Sequence, residues 1–220
     1  MKIIAHIQTD FDTKFGIPRQ SGLVNSLEGR IVFEPEYRVP EALRGLEGFS
    51  HLWLIWDFSQ AHRSEWSPTV RPPRLGGNVR MGVFATRSPF RPNPIGLSCV
   101  AISGIDLQTP DGPVIRVKGA DLMNGTPIFD IKPYLPFADS RPEARGGFAE
   151  GTLHQAALDV AFSDEVRALF PAQKLESLRE VLAQDPRPHY QHDDERVYGM
   201  DFGGKNIHFC IKDNKITVFL

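Results

Sequence analysis

Residues 70–98, VRPPRLGGNVRMGVFATRSPFRPNPIGLS, carry five arginines (Arg71, Arg74, Arg80, Arg87 and Arg91) and neither an acid nor a lysine. A guanidinium presents a planar fork of donors that binds phosphate or carboxylate bidentately and stacks on bases. Prolines and glycines interleave with these arginines, among them Pro72, Pro73, Gly76, Gly77, Pro89, Pro92, Pro94 and Gly96. Loops held in fixed shape lose less freedom on binding. The pattern therefore reads as a preorganised anion site more than as a solvated basic loop.

Three other runs carry candidate chemistry. In LMNGTPIFDIKPYLPF, residues 122–137, Asp130 and Lys132 flank Ile131 at strand spacing and share a face, and Pro133 ends the strand. Such a pair is ordinarily a surface ion pair worth under about 1 kcal/mol; its apolar surroundings predict partial burial instead. In KFGIPRQSGL, residues 14–23, Arg19, Gln20, Ser21 and Gly22 offer amide and backbone donors, although a plain turn explains them equally well. In VLAQDPRPHYQ, Asp185-Pro186-Arg187-Pro188 forms a rigid loop after a helix. His51 and His62 flank an apolar run and, taken alone, read as structural histidines.

These residues need a scaffold, and the sequence describes one. The chain has 220 residues, 41% hydrophobic and 24% charged, with a net charge of −2, so any nucleic-acid recognition rests on local charge. Nineteen glycines and eighteen prolines favour short strands joined by structured loops. Strands are predicted at 2–8, 30–36, 50–59, 79–86, 97–107 and 113–120, the run at 50–59 buried on both faces or nearly so. Trp53, Trp56 and Phe58 read as core. No long helix is expected before residue 135, which indicates a mainly β barrel or sandwich over 1–138. Residues 139–152, rich in Pro, Gly, Ala and charge, read as a linker. Residues 153–220 read as a small α+β domain. Its helix is capped by Ser163, Leu175, Leu178, Val181 and Leu182 form an apolar helical face, and its terminal strands follow. Six acids stand against two arginines between Glu176 and Glu195, so the basic face is expected on the barrel.

Cys99 and Cys210 read as isolated buried thiols suited to a reducing cytosol, and with no Cys/His cluster no metal is expected. No run approaches the roughly 18 apolar residues of a membrane helix. Dinucleotide, Walker A, GxSxG and HExxH motifs are missing.

The runs PRQSGL, RGLEGFSHLWLIW, PTVRPPRLGGNVRMGVFATRSPFRPNPIG, NGTPIFDIKPYLPF and VLAQDPRPHY resemble the TsaA/YaeB family over nearly the whole chain. The resemblance implies a YaeB-like single-sheet β-barrel with a small C-terminal domain and a cytoplasmic homodimer. It implies S-adenosylmethionine as cofactor and methyl transfer to N6 of threonylcarbamoyladenosine beside the anticodon of threonine tRNAs. Carried over by position, cofactor contacts fall at Gln20, Ser21 and Gly22, at Ala61 and His62, at Arg87 and Arg91, and at Asp130, Ile131, Lys132 and Pro133. Arg71, Arg74, Arg80 and Arg187 are expected to contact tRNA. Asp130, then His51 and Asp185, are the candidate general bases. Three rival readings are a methyltransferase of this fold with another acceptor, a barrel that senses the cofactor without turning it over, and a non-catalytic nucleic-acid-binding barrel. The last predicts stacking aromatics exposed on the surface.

Overall fold

The computed structural model describes residues 1–72, 79–152, 157–187, 193 and 195–220. Six strands close an antiparallel barrel. They are β1 (Ala5–Gln8), β2 (Glu28–Phe33), β3 (His51–Asp57), β6 (Ile95–Asp106), β7 (Val114–Lys118) and β8 (Thr126–Pro133). The order around the wall is β1-β2-β7-β6-β3-β8, with β8 returning to β1. Alternation drives the closure: Leu52, Leu54 and Trp56 of β3 point inward, where they pack with Ile7, Ile31, Val100, Val117 and Ile128. The turn that joins β6 to β7 bends at Thr109–Gly112, where the Gly112 amide donates to the Thr109 carbonyl at 3.0 Å.

Several expectations need correction. Strand β3 is not buried on both faces; Trp53 and Ile55 face outward and are only half-buried. Trp53 is therefore not core. Its indole donates to Asp139 at 2.9 Å, while Trp56 lies inside against Phe58 at 4.2 Å. The strand predicted at 79–86 shrinks to β5 (Met81–Gly82), paired with β4 (Thr69–Val70). Val83–Ala85 then turns as a 3-10 helix, because the backbone bends to bury Val83 instead of extending. Both cysteines are free and half-buried, not buried. In the Asp130–Lys132 pair, 3.2 Å apart, Asp130 is half-buried, as its surroundings led one to expect, and Lys132 is exposed; both side chains stand on the outside of β8. Within and beside the stretch read as linker, 139–152, lie helix α1 (Pro136–Asp139) and a 3-10 helix at Gly147–Thr152.

The C-terminal half forms a four-stranded sheet ordered β10-β11-β12-β9. Its strands are β9 (Asp159–Phe162), β10 (Tyr198–Phe202), β11 (Lys205–Lys212) and β12 (Lys215–Phe219). Helices α2 (Asp164–Leu169) and α3 (Ala172–Ala183) pack on it. The Ser163 hydroxyl caps α2 by accepting from the Val166 amide at 3.4 Å. Leu178, Val181 and Leu182 of α3 are buried. Asp185, in the left-handed region at φ 51, ends the helical path.

The core of this half is not made by its own residues alone. Phe11, Val24 and Leu27, with Phe15 and Ile17 beside them, belong to the same buried cluster as Phe202, Phe209 and Leu178. Contact is tight: a Cβ on Gly16 would stand 2.2 Å from the Met200 sulfur. Lys174 pairs with Asp10, and the Ser177 hydroxyl donates to the Ser26 carbonyl at 2.9 Å. A unit of this size is marginal alone, and the N-terminal segment supplies the apolar surface it lacks.

Candidate active site: an arginine-lined cleft

The barrel loops and the loop after α3 enclose one cleft of about 1750 Å³. Arg71, Arg80, Arg87 and Arg91 of the arginine run line it, and so does Arg187 from the C-terminal half. Arg19 and Arg63 join them, so seven arginines surround the cleft against one lining acid, Glu65, among the described residues. Six of the seven come from the barrel half, as the acidic C-terminal stretch led one to expect. Arg74 lies outside the described residues.

Local bonds fix the arginines. Arg91 donates to the Thr86 carbonyl at 3.1 Å and Arg80 to the Thr69 hydroxyl at 3.4 Å. Arg87 donates to the Gln20 side-chain carbonyl. Arg19 donates to the Asp185 carbonyl at 3.2 Å, which ties the glutamine loop to the C-terminal loop. Arg187 grips Asp185 with two bonds of 2.9 Å. Burial pushes the Asp185 carboxyl up, but Arg187 outweighs it and leaves the group below its ordinary range. That keeps Asp185 ionised and a weak proton acceptor.

The loop 19–22 is set into the barrel wall. Strand β7 covers β6 only from Ala101 onward, and where it ends the Ser21 hydroxyl accepts from the Cys99 amide at 3.2 Å. Gly22 donates to the Gly119 carbonyl at 2.9 Å. Beneath the loop runs a buried chain: the Trp56 indole donates to the Ser98 hydroxyl at 3.0 Å, and Ser98 donates to Asp121 at 2.6 Å. Burial raises the Asp121 carboxyl, opposed by the Ser98 hydroxyl, by the amides of Asp121 and Ser21, and by the Arg87 charge. Asp121 therefore links the barrel interior to both the loop and an arginine of the cleft.

The structure brings together only part of the predicted set. Gln20, Ala61, Arg87 and Arg91 line the cleft, with Ser21 and Gly22 next to Gln20. His62 is held 2.7 Å from Asp57 and its side chain is largely exposed. Asp130, Ile131, Lys132 and Pro133 lie on β8, which pairs with β3 and not with the cleft loops. About two strand spacings, roughly 10 Å, separate Asp130 from β6 along the wall. His51 opens β3 on the outer face, 2.8 Å from the Ser50 hydroxyl. The three candidate bases thus occupy three places, and none of them lines the cleft. Sequence reasoning missed Arg63, Trp66, Phe84 and Phe90, which line the cleft, and Asp121. An unpaired acid between the buried Ala120 and Leu122 was the available signal for Asp121.

A barrel whose mouth carries rigid donors and a clustered cationic wall defines a binder of an anionic, base-bearing ligand. Comparison with known proteins makes the class specific. Residues 6–140 match the tRNA-methyltransferase O N-terminal domain and residues 155–220 the TrmO C-terminal domain. The tRNA (adenine(37)-N6)-methyltransferase of Escherichia coli (strain K12) is 44% identical over 98% of this chain and 94% of its own length. A putative S-adenosylmethionine-dependent methyltransferase of Pseudomonas aeruginosa is 40% identical over 94% of this chain and 90% of its own. A crystal structure of TrmO from P. aeruginosa superposes with a TM-score of 0.77 at 35% identity, covering 99% of this chain and 93% of that one. The chain belongs to the tRNA-methyltransferase O family. It is an S-adenosylmethionine-dependent methyltransferase built on a closed antiparallel β-barrel.

The donors fit that cofactor. A guanidinium suits its carboxylate, the Gln20 side-chain amide suits its adenine or hydroxyls, and the cleft exceeds the volume one small ligand needs. No helix among the described residues is long and apolar enough to cross a membrane.

Proposed function

We propose that the chain methylates N6 of adenosine 37 in tRNA, that its acceptor is the threonylcarbamoylated base of threonine tRNAs, and that it works in the cytoplasm. One observation carries the reading: seven arginines against one acid in a cleft far larger than the cofactor needs. The surplus volume and charge suit a polyanionic second substrate.

An exocyclic adenine nitrogen is a poor nucleophile because its lone pair is delocalised into the ring, and acylation weakens it further. Bound S-adenosylmethionine supplies an activated methyl group. The protein's task is to hold the nitrogen in line with that methyl, and alignment is the larger contribution. Gln20, Ser21, Gly22, Ala61 and Arg87 hold the cofactor at the cleft, and Arg87 and Arg91 hold the threonyl carboxylate or an RNA phosphate. Arg71, Arg80 and Arg187 steer the tRNA backbone. A base adds typically 10²–10⁴-fold. Asp130 lies outside the cleft of its own copy and reaches the acceptor only across a dimer, and it is the first to test: Asp130→Asn lowers turnover with cofactor affinity intact, and unchanged turnover removes Asp130 from the reaction.

A homodimer goes with this reading. The outer face of β3, β6 and β8 carries Trp53 and Ile55, with Leu97, 54% exposed, beside Ile55, and Phe137, 85% exposed, stands on helix α1, whose Asp139 the Trp53 indole holds. Exposed apolar residues gathered on one face suit a second copy. Asp130 and Lys132, paired with Ile55 and Trp53, stand on this same face, where a second copy encloses them.

The test is titration with S-adenosylmethionine followed by methyl transfer to threonine tRNA with and without threonylcarbamoylation. Transfer only to the modified tRNA is expected. Cofactor binding with transfer to neither tRNA points to another acceptor, and absence of cofactor binding overturns the reading.

A further inference from the structure

Three aromatic side chains in the cleft are exposed where the fold does not require it. Trp66 is 53%, Phe84 73% and Phe90 39% exposed, and all three line the cleft. Backbone bonds fix the turn that carries Phe84. Thr69 of β4 pairs with Gly82 of β5, and the Val83 amide donates to the Pro68 carbonyl at 2.9 Å. The turn Val83–Ala85 sinks Val83 to 1% exposure, which sends the adjacent Phe84 outward. Its ring meets that of Trp66 at 6.1 Å between centroids, 31° between planes. The Arg63 guanidinium lies 3.7 Å over the Phe90 ring.

What such rings accept follows from their setting. Flat apolar faces stack on flat partners, and the surrounding arginines demand an anion. An acidic protein brings charge without flat faces, and a duplex keeps its base faces inside the stack. An unstacked stretch of RNA brings both.

We propose that Trp66 and Phe84 form a stacking platform for an unstacked base in the loop of the RNA substrate, with the Arg63–Phe90 pair as a second stacking surface. This rests on the reading of the cleft as a tRNA site. The platform selects open loops over helices and leaves base identity to other contacts, because every base has a π-face.

The test uses an anticodon stem–loop RNA with 2-aminopurine at one loop position at a time, and its stem as a plain duplex. Parent, Phe84→Leu, Phe84→Tyr and Trp66→Leu proteins are compared, with the S-adenosylmethionine titration confirming that each is folded. Fluorescence is expected to be quenched by the parent at one loop position. The leucine variants weaken stem–loop binding roughly 5- to 150-fold, the range of one lost base stack, and relieve the quenching there. Their salt dependence stays parental, since no phosphate contact is lost, and Phe84→Tyr binds as the parent does. Parental affinity in both leucine variants, equal losses in Phe84→Leu and Phe84→Tyr, or no quenched position overturns the platform alone. A parent that binds S-adenosylmethionine but no RNA overturns the tRNA reading with it.

Discussion

Substituting Asp121 separates stability from ligand binding. Burial raises its carboxyl above the ordinary value of 3.8. A raised value means that the folded chain holds the proton more tightly than the unfolded chain. The stabilisation is complete below the unfolded value and is lost as pH rises through the folded one, so at neutral pH the ionised group costs stability. Asp121→Asn removes that charge and keeps an acceptor for the 2.6 Å bond from Ser98. This variant is expected to match or exceed the parent at pH 7, with the parent gaining on it as pH falls toward 4. Asp121→Ala strands the buried Ser98 hydroxyl and the Ser21 amide. At about 1–3 kcal/mol for each unmade bond the loss is about 2–6 kcal/mol, a drop on the order of 10 °C in melting temperature. In Asp121→Asn the bond from the Ser21 amide becomes neutral, which lowers cofactor affinity about fivefold. Thermal melts from pH 4 to 8, with cofactor titrations at pH 7, read both effects. A parent that gains on the asparagine variant as pH rises would refute the sign, and show that the attraction of Arg87 outweighs burial. Unaltered cofactor affinity would refute the link from Asp121 to the loop.

Arg87→Ala removes the partner of Gln20 and is expected to weaken cofactor binding roughly tenfold; calorimetric titration checks this, with Arg87→Lys recovering only part because the fork is lost. Gly96→Ala places a Cβ 2.1 Å from Cε2 of Trp56 and is expected to cost about 1–3 kcal/mol, measured as a lowered denaturant midpoint with unchanged slope. Phe11→Ala empties a fully buried position in the C-terminal cluster, for a loss of about 3–5 kcal/mol. Circular dichroism should then show both halves melting in one transition at lower temperature.

The barrel was legible wherever alternation coincided with pairing: Leu52, Leu54 and Trp56 announce β3, and the run at 97–107 overlaps β6 (Ile95–Asp106) in all but its last residue. It misled at 79–86, where Val79, Met81, Val83 and Ala85 alternate as a strand would, yet only Met81 and Gly82 find a partner. Periodicity records which side chains want burial and not whether a neighbouring backbone is present. The arginine run located the cleft, because charge without acids over so long a stretch has few other uses. Phe84 stayed hidden because its exposure depends on the burial of Val83 beside it. Asp121 stayed hidden because its partner Ser98 lies 23 residues away, on β6. Asp130 is half-buried, as its apolar neighbours suggested, but its register opposite Ile55 on the outer face could not be read from the sequence.

The loop 19–22 is threaded between two anchors that pack in the core of the far half of the chain. Phe15 and Ile17 precede it, Val24 and Leu27 follow it, and all four pack in a core completed only by the last strands. During synthesis the loop therefore waits, its flanking side chains uncovered, until Phe209 and Val218 are made. A chain lacking the C-terminal sheet would hold Gln20 and Ser21 only by their bonds to Arg87 and to the Cys99 amide, with the segments on either side of the loop left unpacked.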